Sequence, residues 1–258
     1  MPREARSLRV QAIVLKHSDF GEADRLLTVY TRELGKLRAI AKGARKPRSR
    51  KGGHVEPFSD VSLQLAKGSS LYIVSQAEVK ETHSILSENL VALSYASYVV
   101  ELLDKFTYDE DVNPGLFRLL RDTLGRLASD ADAQMVVRYY ELRLLDLLGF
   151  RPELQQCLIC EKRIQPEDQY FSIQKGGVLC PECGRHEPGA DPISMQALKY
   201  LRHFQRSAYD EAARASLPES VKVELETLMD HYLTYLLERS LNSPRFLRQV
   251  RRDAQQAD

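Results

Sequence analysis

Alternating apolar and polar residues dominate the first eighty positions of the chain. Five short segments carry this period of two, separated by glycine and charged residues that are typical of turns. The predicted strands are Val10–Lys16, Arg25–Thr31, Lys36–Lys42, Ser59–Ala66 and Leu71–Val79, with a first turn at Ser18, Asp19 and Gly21. Five short strands indicate a small closed barrel, and an OB-type barrel is favoured because it gives a basic groove a use. Strand counting alone leaves an SH3-like barrel open.

From about Thr82 the apolar positions change to the period of a helix. Residues that favour helix N-termini precede several of these segments. The predicted starts are Asn113 with Pro114, Asp130 or Asp132, Ser194, and a capping box from Ser216 to Glu219. Gly149 is expected to end the third helix. The leucine and aromatic faces predict a helical bundle, which the helices beyond residue 190 are expected to complete.

Charge is distributed unevenly, although the net charge is only +1. Residues 1–80 hold 16 Lys or Arg and 8 Asp or Glu, whereas residues 81–150 hold 6 and 12. The stretch from Lys36 to Gly53 contains eight basic and no acidic residues, and its glycines and Pro47 predict a strand that runs into a long flexible loop. Such a loop suits a polyanion, because each phosphate contact releases counterions. A solvated basic loop without specific function is the alternative.

All four cysteines lie in one short region, as Cys157-x2-Cys160 and, after nineteen residues, Cys180-x2-Cys183. This spacing fits a zinc site with four thiolate ligands, and no cysteine is left over. Residues 170–173 and 178–179 are expected to form a hairpin that brings the two pairs together, as in a zinc ribbon. Four thiolates fill the coordination sphere, so the zinc ion is expected to be structural. His186 is interpreted as a bystander.

The sequence thus predicts an α+β multidomain protein. The predicted parts are an OB-fold nucleic-acid-binding domain at 1–80, a helical domain at 81–150, a four-cysteine zinc module at 151–190, and a C-terminal helical part with a basic tail at 191–258. The tail carries Arg245, Arg248, Arg251 and Arg252, interpreted as a frayed solvated end with a secondary phosphate contact as the alternative.

Motifs for enzymatic chemistry are missing from the sequence. It contains no phosphate-binding glycine loop and no H-E-x-x-H motif. Asp19, Glu22 and Asp24 have no paired carboxylates later in the barrel to suggest a nuclease. The protein is therefore not expected to be an enzyme. Without a signal-peptide core or an apolar stretch of membrane-spanning length, it is expected to be cytoplasmic.

In the order of these parts and in specific runs, the chain resembles the bacterial recombination mediator family RecO. The runs are QAIVLKHSDFGEADRLLTVYTRELGKLRAIAKGARKPRSR, SYASYVVELLDKF, LRLLDLLGFRPELQQCLIC and LERSLNSPRFLRQV. The resemblance implies an OB-fold domain that binds single- and double-stranded DNA, and promotion of strand annealing. It also implies partnership with RecR, help in loading RecA, and recognition of the acidic C-terminal tail of single-stranded DNA-binding protein (SSB).

Carried over by position, the resemblance assigns DNA contacts to nine basic residues. They are Arg25, Lys36, Arg38, Lys42, Arg45, Lys46, Arg48, Arg50 and Lys51. The zinc ligands are Cys157, Cys160, Cys180 and Cys183. The resulting hypothesis is that the barrel holds strand backbones by charge with little base recognition, so that complementary strands meet on one surface. The alternatives are a zinc-stabilised DNA-binding or protein-binding adaptor without annealing activity, and a metal-dependent nuclease at an atypical site.

Overall fold

The N-terminal strands close into a barrel in the computed structural model, which describes residues 7–49, 51–129, 132–238 and 243–255. The strands are β1 (Ser7–Phe20), β2 (Asp24–Thr31), β3 (Gly35–Ala41), β4 (Asp60–Lys67) and β5 (Tyr72–Glu81). All five predicted strands are thus present. The predicted first turn is shifted, because Ser18 and Asp19 continue β1 in register with β2 and the turn begins at Gly21.

The order of the strands around the barrel is β1-β2-β3-β5-β4, and β1 closes it by pairing with β4. Neighbouring strands are antiparallel except β3 and β5, which pair in parallel at Ala39–Tyr72 and Ile40–Ile73. This arrangement is OB-like and confirms the favoured barrel type. Every second residue, such as Leu27, Val29 and Leu63, is buried inside the barrel and forms its core.

Three helices follow the barrel: α1 (Ser84–Glu88), α2 (Leu90–Phe106) and α3 (Pro114–Ala128). The helical period continues across α1 and α2, but Asn89 separates them because its side chain accepts hydrogen bonds from the N–H groups of Val91 and Ala92. The cap predicted at Asn113 is confirmed, since its side chain accepts from the N–H groups of Gly115 and Leu116.

Lys36 and Asp104 join α2 to the barrel. The Lys36 ammonium group donates to the Asp104 carboxylate at 3.2 Å, and to the backbone oxygens of Asp104 and Thr107 at 2.6 Å each. Lys16 donates to the other carboxylate oxygen at 2.6 Å. The Lys36 side chain is only 10% exposed, so its charge is satisfied inside the protein. Gly35 allows the backbone at Asp111 to pack directly against the start of β3, because a Cβ atom at residue 35 would lie 2.0 Å from the Asp111 carbonyl oxygen.

We expect Lys36→Met to destabilise this unit by about 1–3 kcal/mol, because it leaves two carbonyl groups without their donor, whereas Asp104 keeps Lys16. Urea unfolding at pH 7 measures the loss. The matched control is Lys42→Met on the exposed side of the same segment, expected to change stability by less than about 0.5 kcal/mol. Equal unfolding midpoints for Lys36→Met and the wild type would contradict this role.

The Asp104 carboxylate also gives the contact a pH dependence. Burial alone would raise the pKa of Asp104, but Lys16 and Lys36 outweigh it and lower the pKa. A carboxyl whose pKa is lower in the folded state stabilises the fold above its unfolded pKa of about 4, and that stabilisation disappears as the pH falls further. The stability difference between the wild type and Asp104→Asn should therefore shrink below about pH 4.

The chain divides into two units, residues 1–131 with 246–258, and residues 132–245. The second unit contains α4 (Ala133–Leu148), β6 (Gln169–Ser172), β7 (Gly177–Leu179), α5 (Pro181–Gly184), β8 (Ala190–Ile193), α6 (Met195–Arg206), α7 (Tyr209–Ala212) and α8 (Glu219–Leu237). Helices α4, α6 and α8 pack on one another, and β6 lies between β7 and β8 in a small antiparallel sheet. The predicted bundle of early and late helices involves both units and stays a prediction, as does the four-part domain division.

Most predicted helix ends in the second unit are confirmed. Asp132 caps α4, Gly149 ends it with a φ of 81°, and Ser194 caps α6. The capping box from Ser216 to Glu219 is wrong, because Pro218 occupies the N-cap position of α8 and no side chain caps that end. The strand β8 was missed.

The C-terminal segment forms α9 (Ser243–Gln255) rather than a frayed end, since Leu247 and Val250 are buried. Within the described part of the chain, no helix has the length and apolar character needed to cross a membrane.

Candidate nucleic-acid interface and metal centre

The basic segment after β3 is a series of turns attached to the β1–β2 hairpin. Gly43 N–H donates to the Asp24 carboxylate at 2.7 Å, and Arg45 N–H donates to the Ala23 carbonyl at 2.9 Å. Ala44 and Val55 are buried in the barrel core and fix both sides of the segment. The description as a flexible loop therefore does not fit residues 42–49, because backbone bonds and two apolar anchors hold them.

Five predicted DNA contacts are exposed on this side of the barrel: Arg38, Lys42, Arg45, Lys46 and Arg48. Arg45 has a second role, because its guanidinium lies 3.2 Å from Asp19 and donates to the carbonyl oxygens of Gly21 and Glu22 at 3.4 Å. None of the other four forms an ion pair within the described part of the chain. Their charges are available to an anionic ligand.

The remaining predicted contacts differ in their surroundings. Arg25 is 19% exposed and pairs with Glu56 at 2.6 Å, and Lys51 donates to the Val74 carbonyl at 3.2 Å. Lys36 does not fit the predicted DNA contact, because the Asp104 carboxylate and two carbonyls enclose its ammonium group. Arg50 lies outside the described residues.

The acidic residues near the barrel either have partners within the fold or lie on its surface. Asp24 accepts from the backbone of the basic segment, and Asp19 pairs with Arg45. The acidic run 109–111 lies against the start of β3, where the Glu110 N–H donates to the Lys36 carbonyl at 2.7 Å and the acidic side chains stay exposed. Asp19 and Asp24 thus have partners within the barrel, and no carboxylate cluster able to hold a metal ion forms among the described residues.

The four cysteines form one cluster in the second unit. Their sulfur atoms all lie within 4.8 Å of one another, and the sulfurs of Cys160 and Cys180 are 3.7 Å apart. A tetrahedral zinc site with Zn–S bonds of about 2.3 Å places its sulfurs about 3.8 Å apart. The donor set and spacing therefore fit the expected metal. Among the described residues, no other group of three or more His, Cys, Asp or Glu side chains brings its ligand atoms this close together. His186 lies outside the cysteine cluster.

Two tight backbone turns present the cysteines. In the first, Glu161 N–H donates to the Cys157 carbonyl at 2.9 Å, and Glu161 has a positive φ of 60°. In the second, Gly184 N–H donates to the Cys180 carbonyl at 2.8 Å. Gly184 is required by packing, because a Cβ atom there would lie 2.4 Å from the Tyr170 ring.

The thiol groups differ in acidity because their surroundings differ. Burial alone would raise the pKa of Cys157, but nearby backbone N–H groups, including that of Cys160, outweigh burial and lower the pKa to about 6. Hydrogen bonding with the Cys180 sulfur, together with burial, raises the pKa of Cys183 to about 12. One thiolate thus forms readily, and a bound metal ion would drive the loss of the remaining protons.

The cysteine module is attached to α6 and α8 of the same unit. Arg202 donates to the Leu154 carbonyl at 2.7 Å, and Gln205 donates to the Pro152 carbonyl at 2.9 Å. The rings of Phe171 and Tyr232 meet edge to face at 5.5 Å. Because these contacts depend on the fold of the module, unfolding of the module would also remove contacts of α6 and α8.

A groove with a strongly basic lining runs along α6. Its charged residues are Arg163, Lys199, Arg202 and Arg206, joined by His203. Burial lowers the pKa of Arg202, and the nearby charges of Arg206 and Arg163 lower it further. No described carboxylate pairs with the four cations. The sequence analysis missed this groove, although the spacing 199, 202, 203 and 206 places its helical members on one face.

Known proteins match this chain over most of its length. The family model described as Recombination protein O N terminal matches residues 6–83, and Recombination protein O C terminal matches residues 87–245. The chain is 38% identical over 246 residues to DNA repair protein RecO of Roseiflexus sp. (strain RS-1), covering 95% of this chain and 87% of that protein.

Two further relatives have nearly the same length. The protein of the same name from Desulforamulus reducens is 36% identical over 239 residues, covering 93% of both chains. That from Bacillus pumilus is 32% identical over 244 residues, covering 94% of both. With an OB-like barrel, helices and a four-cysteine cluster in the expected order, this chain belongs to the RecO family of DNA repair and recombination proteins, which are non-enzymatic recombination mediators.

Proposed function

We propose that this protein binds single- and double-stranded DNA, anneals complementary strands and, with RecR, helps to load RecA onto strands covered by SSB. SSB is recognised through its acidic C-terminal tail, and the site of action is the bacterial cytoplasm at the nucleoid. The observation that carries this proposal is the group of exposed cations beside the β1–β2 hairpin of an OB-like barrel, in a chain of the RecO family.

The exposed cations suit a phosphate backbone better than a compact anion. Arg38 lies on β3, whereas Lys42, Lys46 and Arg48 follow one another in the turns after it. Separate charges along a surface contact successive phosphates and add counterion release at each one. Contacts of this kind position a strand without selecting its sequence, which an annealing protein needs.

The α6 groove supplies a second cationic surface. Annealing brings two strands together, so a second site for a phosphate backbone would hold the incoming strand. The groove has a volume of about 610 Å³, and burial together with the nearby charges of Arg206 and Arg163 lowers the pKa of Arg202. We therefore assign it to the second strand.

We expect Lys199→Ala/Arg206→Ala to slow annealing and to remove about 1.4 from the log–log salt slope of second-strand binding, because two phosphate contacts are lost and Arg202 keeps its bond to the Leu154 carbonyl. Affinity for the first strand should stay within about twofold of the wild type. The measurement is fluorescence-detected annealing at several salt concentrations. Arg185→Ala/Arg214→Ala, which removes two exposed cations of the same unit outside the groove, is the control. Equal annealing by both variants would remove the groove from the proposal.

We further propose that the four cysteines hold one zinc ion with a structural role. The sulfur spacing and the all-thiolate donor set support zinc, and four protein ligands leave no position for water or substrate. The metal then fixes the two backbone turns, and the chemistry of the protein remains binding rather than catalysis.

The direct test of the proposal is annealing of complementary strands without any other protein. Wild-type protein is expected to bind each strand with an affinity that falls steeply with salt and to accelerate duplex formation. Binding without acceleration would reduce the protein to a DNA-binding adaptor. Absence of binding at low salt would leave the barrel as a site for a protein partner.

A further inference from the structure

Helix α2 and the residues between α2 and α3 contact one part of the outer face of β1, β2 and β3. Tyr30 of β2 is fully buried there, and its hydroxyl group donates to the Asn113 carbonyl at 3.4 Å. Its cross-strand partner Lys36 is buried beneath Asp104 and Thr107. Burial also raises the pKa of Tyr30 to about 12. This part of the face belongs to the interior of the unit.

The rest of the same face is open, and the strand register defines what it carries. Residues that pair directly across strands point to the same side of the sheet, and every second residue of a strand returns to that side. Beyond Tyr30, the outward pairs of β1, β2 and β3 form successive rows. They are Lys16, Thr28 and Arg38; then Ser18, Leu26 and Ile40; then Phe20 and Asp24.

Apolar side chains on this open face lie between cations. Leu26 and Ile40 are partly exposed, with Arg38 in the row on one side and Phe20 on the other. Lys42 directly follows Ala41, the partner of Arg25, and so lies beside the Phe20 row just beyond the end of β3. A surface that bound DNA through charge alone would not require exposed apolar side chains between its cations.

Phe20 is the most distinctive group of this face. It ends β1 at the tip of the hairpin and is 49% exposed. Among the described residues of the barrel, Leu8 is the other exposed large apolar side chain, at 43%. The turns that carry Lys42 and Lys46 are hydrogen-bonded to this hairpin through Ala23 and Asp24. The aromatic ring and the phosphate-binding cations therefore belong to one continuous surface.

We propose that Phe20 stacks against an unpaired base of single-stranded DNA whose phosphates contact Arg38 and Lys42. Leu26 and Ile40 form the apolar floor between the stacked base and Arg38. A nucleotide strand presents flat apolar bases and regularly spaced anions, and the face offers the complementary groups in alternation. In duplex DNA each base face is covered by its neighbours, so Phe20 gives the barrel a preference for single strands. This inference rests on the proposed DNA binding and adds the residue that distinguishes single from double strands.

The consequences differ from those of losing a cation. We expect Phe20→Ala to weaken binding of single-stranded DNA by roughly 5- to 150-fold, the range given by loss of one base–aromatic contact. The salt slope should not change, because no charge is removed. Duplex DNA should lose less than about twofold. Phe20→Trp should retain single-strand affinity, whereas Phe20→Leu should lose most of it.

The experiment compares wild type, Phe20→Ala, Phe20→Trp and the control Leu8→Ala on equal lengths of single-stranded, duplex and base-free DNA. On base-free DNA, which keeps the phosphates, the difference between wild type and Phe20→Ala should vanish. Because Phe20 is exposed, thermal unfolding should be the same for all four proteins.

The outcomes separate this inference from the proposed function. If the wild type binds no DNA at low salt, the proposed function fails together with the stacking role. If the wild type binds single strands with a steep salt dependence and Phe20→Ala binds equally well, only the stacking role is overturned. An equal loss on normal and base-free strands would also overturn it and would indicate that Phe20 supports the fold of the hairpin.

Discussion

Loss of the metal is expected to unfold the cysteine module and to destabilise the helices attached to it. Structural zinc contributes an apparent binding free energy of about 10–16 kcal/mol in small zinc domains at pH 7, which is more than most domains have as total stability. Cys157→Ser removes the most buried ligand of the cluster, so the remaining three sulfurs cannot close a tetrahedron. The variant should lose its zinc ion and should unfold at a lower temperature than the wild type.

Elemental analysis and thermal unfolding with and without a chelator measure this effect. The matched control is His186→Ala, which changes the neighbouring histidine and should retain one zinc ion per chain. The barrel has a separate hydrophobic core, so the salt slope of single-strand binding should survive loss of the metal. If the chelated protein and Cys157→Ser unfold at the wild-type temperature, the metal is not structural.

The second large effect concerns the exposed cations of the barrel. If about five charges contact single-stranded DNA, the log–log salt slope should lie near −3.5. Lys42→Ala/Lys46→Ala/Arg48→Ala should bring the slope to about −1.4 and weaken binding similarly for unrelated sequences, because phosphate contacts carry no base information. Arg45 is left in place since its guanidinium also holds the hairpin carbonyls.

A control variant removes the same number of charges elsewhere in the unit. Arg32, Lys80 and Arg118 are exposed cations outside the basic segment, and their replacement by alanine should leave the slope within about 0.5 of the wild-type value. Titrations at several salt concentrations with fluorescent oligonucleotides measure both variants. Equal flattening by both would mean that net charge, rather than this surface, determines binding.

Much of the fold could be predicted because its signals are local. Strands with one buried face alternate visibly, and Asn113, Asp132 and Ser194 cap helices through their own side chains. The barrel type depends instead on the parallel pairing of β3 with β5, which joins residues distant in sequence. A local signal can also mislead. The residues from Ser216 to Glu219 match a capping box, but Pro218 rather than Ser216 occupies the N-cap position of α8.

The candidate sites also differ in whether their signals are local in the sequence or depend on contacts between distant residues. The clustering of the four cysteines could be predicted, because a hairpin between two C-x2-C pairs brings them together. Lys36 was predicted as a DNA contact because it continues a basic run in sequence. Only the packing of α2 shows that Asp104 encloses its charge. The helical spacing of Lys199, Arg202 and Arg206 was a local signal for the α6 groove, but Arg163 joins these residues only in the folded structure.

The most direct test of the account is annealing of complementary strands that are first coated with the cognate SSB. Wild-type protein is expected to accelerate annealing, and the Arg32/Lys80/Arg118 control should do the same. The Lys42/Lys46/Arg48 variant, folded and loaded with zinc, should fail to accelerate it. Equal acceleration by that variant, or none by a wild-type protein that binds bare strands, would contradict a mediator acting through the cationic surface of the barrel.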